Sequence, residues 1–170
     1  MDFLAYRSDP VVARYQGWDL MTKQAALDFL SEEAQFTELV PGGWSQLGVT
    51  RANNDALIGD VGLWLSPDSS TVEIGVSLAR HAQGQGLGSH TLHGLISLVF
   101  SATAVTNIVA HTDARNEPCI RALKRAGLLQ TGTRTEIYKG EACTEVCFLV
   151  ERSAFASATR SDLTSINEPP

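Results

Sequence analysis

With 170 residues, 44% of them hydrophobic and 19% charged, the chain has the size and composition of one soluble globular domain with a sizeable core. A formal charge of −6 argues against nucleic acid as the main partner, because a phosphate-binding surface needs surplus Lys and Arg; it suits either a cationic substrate or plain solubility. No apolar run nears the roughly 20 residues of a membrane span, and the start MDFLAYRSDP is polar too early for a secretory leader. Three cysteines without metal-like spacing fit a reducing compartment, so the expectation is a cytoplasmic protein with no membrane contact and no metal.

In chain order, Phe3, Leu4, Tyr6, Val11, Val12 and Tyr15 around the breaker pair Asp9-Pro10 predict a short helix, a turn and another helical turn. Thr22 is a fair N-cap for a helix with Ala25, Ala26, Phe29 and Leu30 on one face. Three strands follow, 44–50, 56–65 and 71–79, joined by the turn-forming runs 53–55 and 66–70 as antiparallel hairpins. Gly59 and Gly62 mark the middle strand for a bulge. Leu87, Leu92, Leu95, Ile96, Val99 and Phe100 trace the apolar face of a helix running to Ala102. Val105 to Thr112 reads as a buried strand, and Pro118 suits the first turn of a helix that stops at Gly127. Leu128 to Tyr138 and Ala142 to Glu151 form a last hairpin, on which Cys143 and Cys147 share a face. The domain spans 1–152, and residues 153–170 have the composition of a tail. Trp18 and Trp44 either wall a substrate pocket or cover the core and a sheet edge.

The densest chemical signal is EIGVSLARHAQGQGLGSHTLHGL, residues 73–95: an apolar strand, a glycine-punctuated turn and the start of a helix. Where strand becomes helix, at Gln83, Gly84, Gln85, Gly86, Leu87, Gly88 and Ser89, backbone N–H groups without intrahelical partners converge, which favours an anion such as a pyrophosphate. Glycine at these places admits positive φ and lets a phosphate approach the backbone. A dinucleotide fold is the competing use, with Asp113 near a ribose-binding position. The glycines read G-x-G-x-G rather than G-x-G-x-x-G, and too little chain follows for repeated βαβ units.

The run Gln83-x-x-Gly86-x-Gly88 resembles the Gln/Arg-x-x-Gly-x-Gly/Ala loop of the GNAT superfamily of acyl-CoA N-acyltransferases, and EIGVSL is similar to that family's fourth strand. Asn116-Glu117-Pro118-Cys119-Ile120-Arg121, followed by Leu123-Lys124-Arg125-Ala126-Gly127-Leu128, resembles its later motif Asn-x-x-Ser-x-x-x-Leu-x-x-x-Gly-Phe. That form of the motif, and the N-terminal YRSDPVVARYQGW, are similar to the branch containing the ribosomal-protein N-terminal alanine acetyltransferases. The likeness covers residues 1–151.

The resemblance implies an α/β (α+β) fold: a mixed, mostly antiparallel sheet flanked by helices, with strands 73–79 and 106–112 splayed apart. Relatives usually begin with one more strand, so 44–50 is expected as an exposed edge unless a homodimer partner or the tail covers it. The donor implied is acetyl-CoA, its pyrophosphate on residues 83–89 and its pantetheine on the open strand edge and Asn116. The Leu78 N–H takes the role of polarising the thioester carbonyl. Glu73 matches a glutamate of the N-terminal acetyltransferases and is either the general base, with a carboxyl raised by partial burial, or an exposed carboxylate in an ion pair. Leu123 stands where many relatives have the leaving-group tyrosine. Cys119 stands where this branch has serine, and it either protonates the departing thiolate or simply fills a place in the helix. The expected reaction is direct attack by a primary amine in a ternary complex. A protein or peptide N-terminal α-amine, near pKa 8 against about 10.4 for lysine, is the first acceptor in view. A cationic small molecule such as an aminoglycoside or polyamine is the second, and a non-catalytic acyl-CoA-binding module is the third reading.

Overall fold

The computed structural model describes residues 2–34 and 38–157. Three helices come first: α1 (Asp2–Arg7), α2 (Pro10–Ala13) and α3 (Lys23–Glu33). Asp9 caps α2 by accepting from the Val11 N–H at 2.9 Å, with Pro10 in the first turn where a missing N–H costs nothing. Thr22 does the same for α3, accepting from Ala25 N–H at 3.2 Å. The rest alternates: β1 (Trp44–Thr50), β2 (Leu57–Leu65), β3 (Thr71–Leu78), a single 3-10 turn (Arg80–Ala82), α4 (Leu87–Ala102), β4 (Asn107–Asp113), α5 (Glu117–Arg125), β5 (Leu129–Tyr138) and β6 (Glu141–Glu151). The expected elements are all present, with ends displaced by one or two residues.

The six strands form one sheet in the order β1-β2-β3-β4-β6-β5, antiparallel everywhere except between β3 and β4. One face packs under α4 and α5, where Val61, Leu63, Val72, Ile74, Ile108 and Phe148 meet Leu92, Ile96 and Val99 in the main core. A smaller apolar cluster joins Phe3, Tyr6, Val12 and Ala26 of α1, α2 and α3 to Ala79, just past the end of β3. A buried polar group ties α1 to the sheet: Arg7, only 3% exposed, binds Asp60 through Nε (3.0 Å) and Nη2 (2.9 Å), and the Tyr6 hydroxyl donates to the same carboxylate. Burial pushes the Asp60 carboxyl up, while Arg7 and Tyr6 pull it down.

The middle strand carries the expected bulge, beside Gly59 and away from Gly62, and both glycines answer a close approach as well. The irregularity falls between Val49 and Thr50, whose partners are Gly59 and Leu57, leaving Ile58 as the extra residue. Gly59 is required by close approach, since a Cβ there would lie 2.1 Å from the Ser77 carbonyl oxygen; Gly62 receives the Trp44 ring, at 3.2 Å from such a Cβ. Trp44 therefore covers the sheet at its β1 edge, half exposed. Trp18 lies on the Arg7 guanidinium, 3.8 Å from ring centroid to Cζ. Beyond β6, residues 152–157 are helical, and Phe155 rests against His93 and Phe100 of α4; the remainder of the tail lies outside the described residues. No helix among the described residues is long and apolar enough to cross a membrane.

Candidate active site

β3 and β4 pair only at Thr71↔Asn107, Val72↔Ile108 and Glu73↔Val109, then diverge. The Ala79 N–H bonds the Ile58 carbonyl at 2.8 Å, which fixes the phase of the β2–β3 ladder. Alternate residues Glu73, Gly75 and Ser77 therefore turn their backbone groups toward β2, and Val76 and Leu78 turn theirs into the opening beyond Glu73. This is an unpaired strand edge, buried inside a fold, that a ligand bearing peptide-like amides can complete. Two side chains already reach it: Gln83 Nε2 donates to the Leu78 carbonyl (2.9 Å) and Gln16 Nε2 to that of Val76 (3.3 Å).

The glycine turn closes one end of the opening. Gly84 and Gly86 adopt φ of 74° and 78°, the left-handed region, and Gly86 is the N-cap of α4 without any side-chain cap. Consequently the N–H groups of residues 84–89 have no hydrogen-bond partner among the described residues; the first to find one is His90, which bonds Gly86 O at 3.2 Å. A Cβ at Gly84 or Gly86 would meet nothing within 4 Å, so the space in front of these amides is open. Six amides at the start of a 16-residue helix make an anion cradle.

The opposite wall is the β4–α5 turn. Asp113 Oδ1 accepts from the Arg115 N–H (2.7 Å) while the Arg115 guanidinium grips both carboxylate oxygens, which holds the Asp113 carboxyl below its ordinary range. That turn sets Asn116 as N-cap of α5: its Oδ1 accepts from the Cys119 N–H at 3.4 Å and its Nδ2 donates to Thr112 Oγ1 at 3.1 Å. Cys119 is half-buried there, and burial raises its thiol, with Thr112 pulling the other way. The thiol therefore stays protonated at neutral pH, a state that can donate a proton and is a poor nucleophile.

Leu78, Gln83, Gly84, Gly86, Gly88, Ser89, Asn116 and Cys119 line one cleft of about 570 Å³. Gln85 and Leu87 add only their backbone amides: the Gln85 side chain turns away to the His81 carbonyl, and Leu87 packs on Ile58, Leu78 and Ala82. Sequence reasoning missed the rest of the wall. Arg14, Tyr15 and Gln16 border the cleft from the segment after α2, and Arg115, Arg121 and Arg125 from α5 and the turn before it; no carboxylate lines it.

Glu73 lies outside this cleft, at its vertex, where the two strands part. It is half-buried, and among the described residues no cation pairs with it. Its face of the sheet also carries His111, two residues beyond its partner Val109. Three buried polar atoms on this face of the sheet or around it have no hydrogen-bond partner among the described residues: Trp18 Nε1, His111 Nδ1 and Tyr138 Oη. Tyr138 is pushed up to about 12, first by burial and then by Asp19, Cys143, Glu145 and Asp113. Lys139, next to it at the hairpin tip, donates to the carbonyls of Ala13 (3.2 Å) and Trp18 (3.0 Å), so the hairpin and the segment after α2 are joined over this side of the sheet.

Residues 1–129 match the family described as "Acetyltransferase (GNAT) domain". Solved structures of the same fold include a GNAT-family acetyltransferase from Bacillus anthracis, at 17% identity and a TM-score of 0.80 over 89% of this chain and 88% of that one. Another is the spermidine N-acetyltransferase of Vibrio cholerae in complex with CoA and spermine (15% identity, TM-score 0.76, 90% and 89% covered). A third is the aminoglycoside acetyltransferase AAC(6')-Ib with coenzyme A and kanamycin (19% identity, TM-score 0.71, 91% and 90% covered). No curated protein matches the sequence.

Proposed function

The chain belongs to the GNAT acetyltransferase family, with acetyl-CoA as cosubstrate and an amine as acceptor, and from that premise we propose that it acetylates a small polycationic amine through a ternary complex. The observation that carries the donor half is the cleft itself: six free backbone amides facing an arginine-bearing wall, opening onto an unpaired strand edge. Pyrophosphate sits on the amides of residues 84–89 and pantetheine continues β3 along Val76 and Leu78. In this reading the Leu78 N–H holds the thioester oxygen, whose developing charge a preorganised donor in a dry cleft stabilises by about 2.7–4 kcal/mol.

The acceptor half rests on charge. Asp19, Glu145 and Asp113 act electrostatically on Tyr138; Asp113 is paired with Arg115 and Glu145 with Arg134, which leaves Asp19 and, at the vertex, Glu73 as carboxylates without a cation partner among the described residues. An amine bearing a second ammonium group gains from that field, as spermine and kanamycin do chemically in being polycations. Glu73 takes one proton from the attacking ammonium; the amine nitrogen bonds the acetyl carbon; the C–S bond breaks and the thiolate takes the proton of the Cys119 thiol; the second proton lost by the nitrogen as the amide forms restores that thiol through solvent, and Glu73 releases its own proton to water. A protein or peptide N-terminal α-amine is the second reading, favoured by the motif built on Asn116 and Cys119. The three cysteines form no disulfide, which suits a cytoplasmic setting. A homodimer would pair through the exposed β1 edge at Trp44 and Leu47.

The deciding experiment is thiol release from acetyl-CoA with polyamines, aminoglycosides, and Ala- and Ser-starting peptides run side by side. Turnover with the polycations alone supports the first reading. Turnover with the peptides alone replaces it with the second, and CoA binding without turnover on any pool returns the non-catalytic module.

A further inference from the structure

The four cleft arginines are not equivalent. The Arg115 charge is neutralised by Asp113, Nη2 to Oδ2 at 2.6 Å. Arg14 lies near that same carboxylate, which it helps to lower, and over the Tyr15 ring. Arg121 shares an exposed i,i+4 pair with Glu117 at 3.1 Å, a contact too solvated to hold it in place. Arg125 pairs with no carboxylate among the described residues. Two positive charges held by no buried partner, Arg121 and Arg125, thus border the cleft from α5 in a chain of formal charge −6.

Their place along the cleft identifies what they meet. Pro118, Arg121, Ala122 and Arg125 fall at i, i+3, i+4 and i+7, so one stripe of α5 faces the cleft. A Cβ built on Gly88 would lie 3.7 Å from the Ala122 Cβ, which sets Ala122 against the first turn of α4 and its free amides. Asn116 and Cys119 lie before that point, toward the splayed strands; Arg125 lies about 4.5 Å further along the helix axis, beyond it. In coenzyme A, the group on the far side of the pyrophosphate from pantetheine is the ribose, which carries a 3′-phosphate. We propose that Arg121 and Arg125 bind this 3′-phosphate, and that the cleft thereby selects CoA thioesters over acyl-pantetheine donors that lack it, such as dephospho-CoA or a carrier-protein arm. The inference rests on acetyl-CoA as donor and is independent of the acceptor.

Calorimetric titration of the intact chain with CoA, 3′-dephospho-CoA and pantetheine 4′-phosphate tests it. The unmodified chain should bind CoA about 10- to 30-fold more tightly than 3′-dephospho-CoA, the range expected of a charge-assisted contact. Arg125→Ala should lose most of that factor for CoA and nothing for 3′-dephospho-CoA; Arg121→Ala should lose a smaller part, and Arg125→Lys should keep some of it. Lys124→Ala removes the same charge from the same helix off the stripe and should leave the ratio unaltered. The preference should shrink as salt rises. Equal weakening of both ligands by Arg125→Ala would assign the arginines to the pyrophosphate instead. Equal affinity of the unmodified chain for both ligands would end the proposal, and absence of binding to either would end the cofactor cleft with it. Unaltered melting temperatures separate these outcomes from misfolding, because both side chains are exposed.

Discussion

Gln16 donates its side-chain amide to the Val76 carbonyl across 3.3 Å, and that carbonyl belongs to the strand edge that β4 leaves open. A pantetheine amide extending the sheet would compete for the same oxygen. Gln16→Ala should therefore lower the Kd for CoA, by about threefold or less, since the contact is long and part-exposed and its net worth is at most about 1 kcal/mol. A weaker Kd in the variant would mean that Gln16 contacts the donor rather than standing in for it.

At Gly86 the backbone sits at φ 78° and any side chain would project into the open space before the free amides. Gly86→Leu should abolish measurable CoA binding while costing the fold only about 1–2 kcal/mol, the strain of a left-handed non-glycine residue. Parallel calorimetry and urea unfolding separate the two effects.

Glu73 stands outside the donor cleft, so its substitution should divide binding from chemistry. Glu73→Gln is expected to lower kcat about 10²- to 10⁴-fold, the usual worth of a general base, with the Kd for acetyl-CoA unchanged. Full activity in this variant would remove Glu73 from the reaction.

The Asp113 carboxyl is held below its ordinary 3.8, chiefly by hydrogen bonds from Arg115. A depressed carboxyl binds fewer protons in the folded chain than in the unfolded one, so its contribution is present above about pH 4 and is lost as pH falls through the folded value. Asp113→Asn should be less stable than the parent at pH 7 and show a shallower loss below pH 4, read from urea midpoints. Because the same carboxylate shapes the turn before Asn116, the KM for acetyl-CoA should rise as well.

Removing one member of the buried Arg7–Asp60 pair leaves a charge without its partner. Arg7→Met is expected to cost about 3–5 kcal/mol, and the double change with Asp60→Leu to recover much of it. Additive losses in the double variant would show that the two residues stabilise the fold independently and not as a pair.

What could be read from the sequence depends on how far apart in the chain the cause lies. The glycine turn, the Asn116 cap and the hairpins are local: each follows from a residue's own φ preference or a side chain bonding the backbone two or three positions on. The splay was expected only through the family likeness, because nothing in EIGVSL itself says where pairing stops. The cleft arginines were hidden differently. Arg121 and Arg125 stand a helical turn apart in plain view, but which way that stripe faces is decided by Ala122 packing on Gly88. Nothing local marks Asp60, one polar residue in an apolar strand, because its partners lie more than 50 residues away in α1. Gly62 was misread as a bulge marker for the same reason, its true cause being the ring of Trp44 on the neighbouring strand.

The cradle proposed for the donor, at residues 84–89, is made of main-chain N–H groups alone. Every amino acid except proline supplies that group, so most side chains there are free to drift provided that the left-handed positions keep glycine. Such a site asks little of side-chain identity, and solved structures sharing only 15–19% of their residues with this chain have its fold at TM-scores above 0.7. The corollary is a narrow vulnerability: a proline at Gln85, Leu87 or Ser89 deletes a donor that no neighbouring side chain can replace.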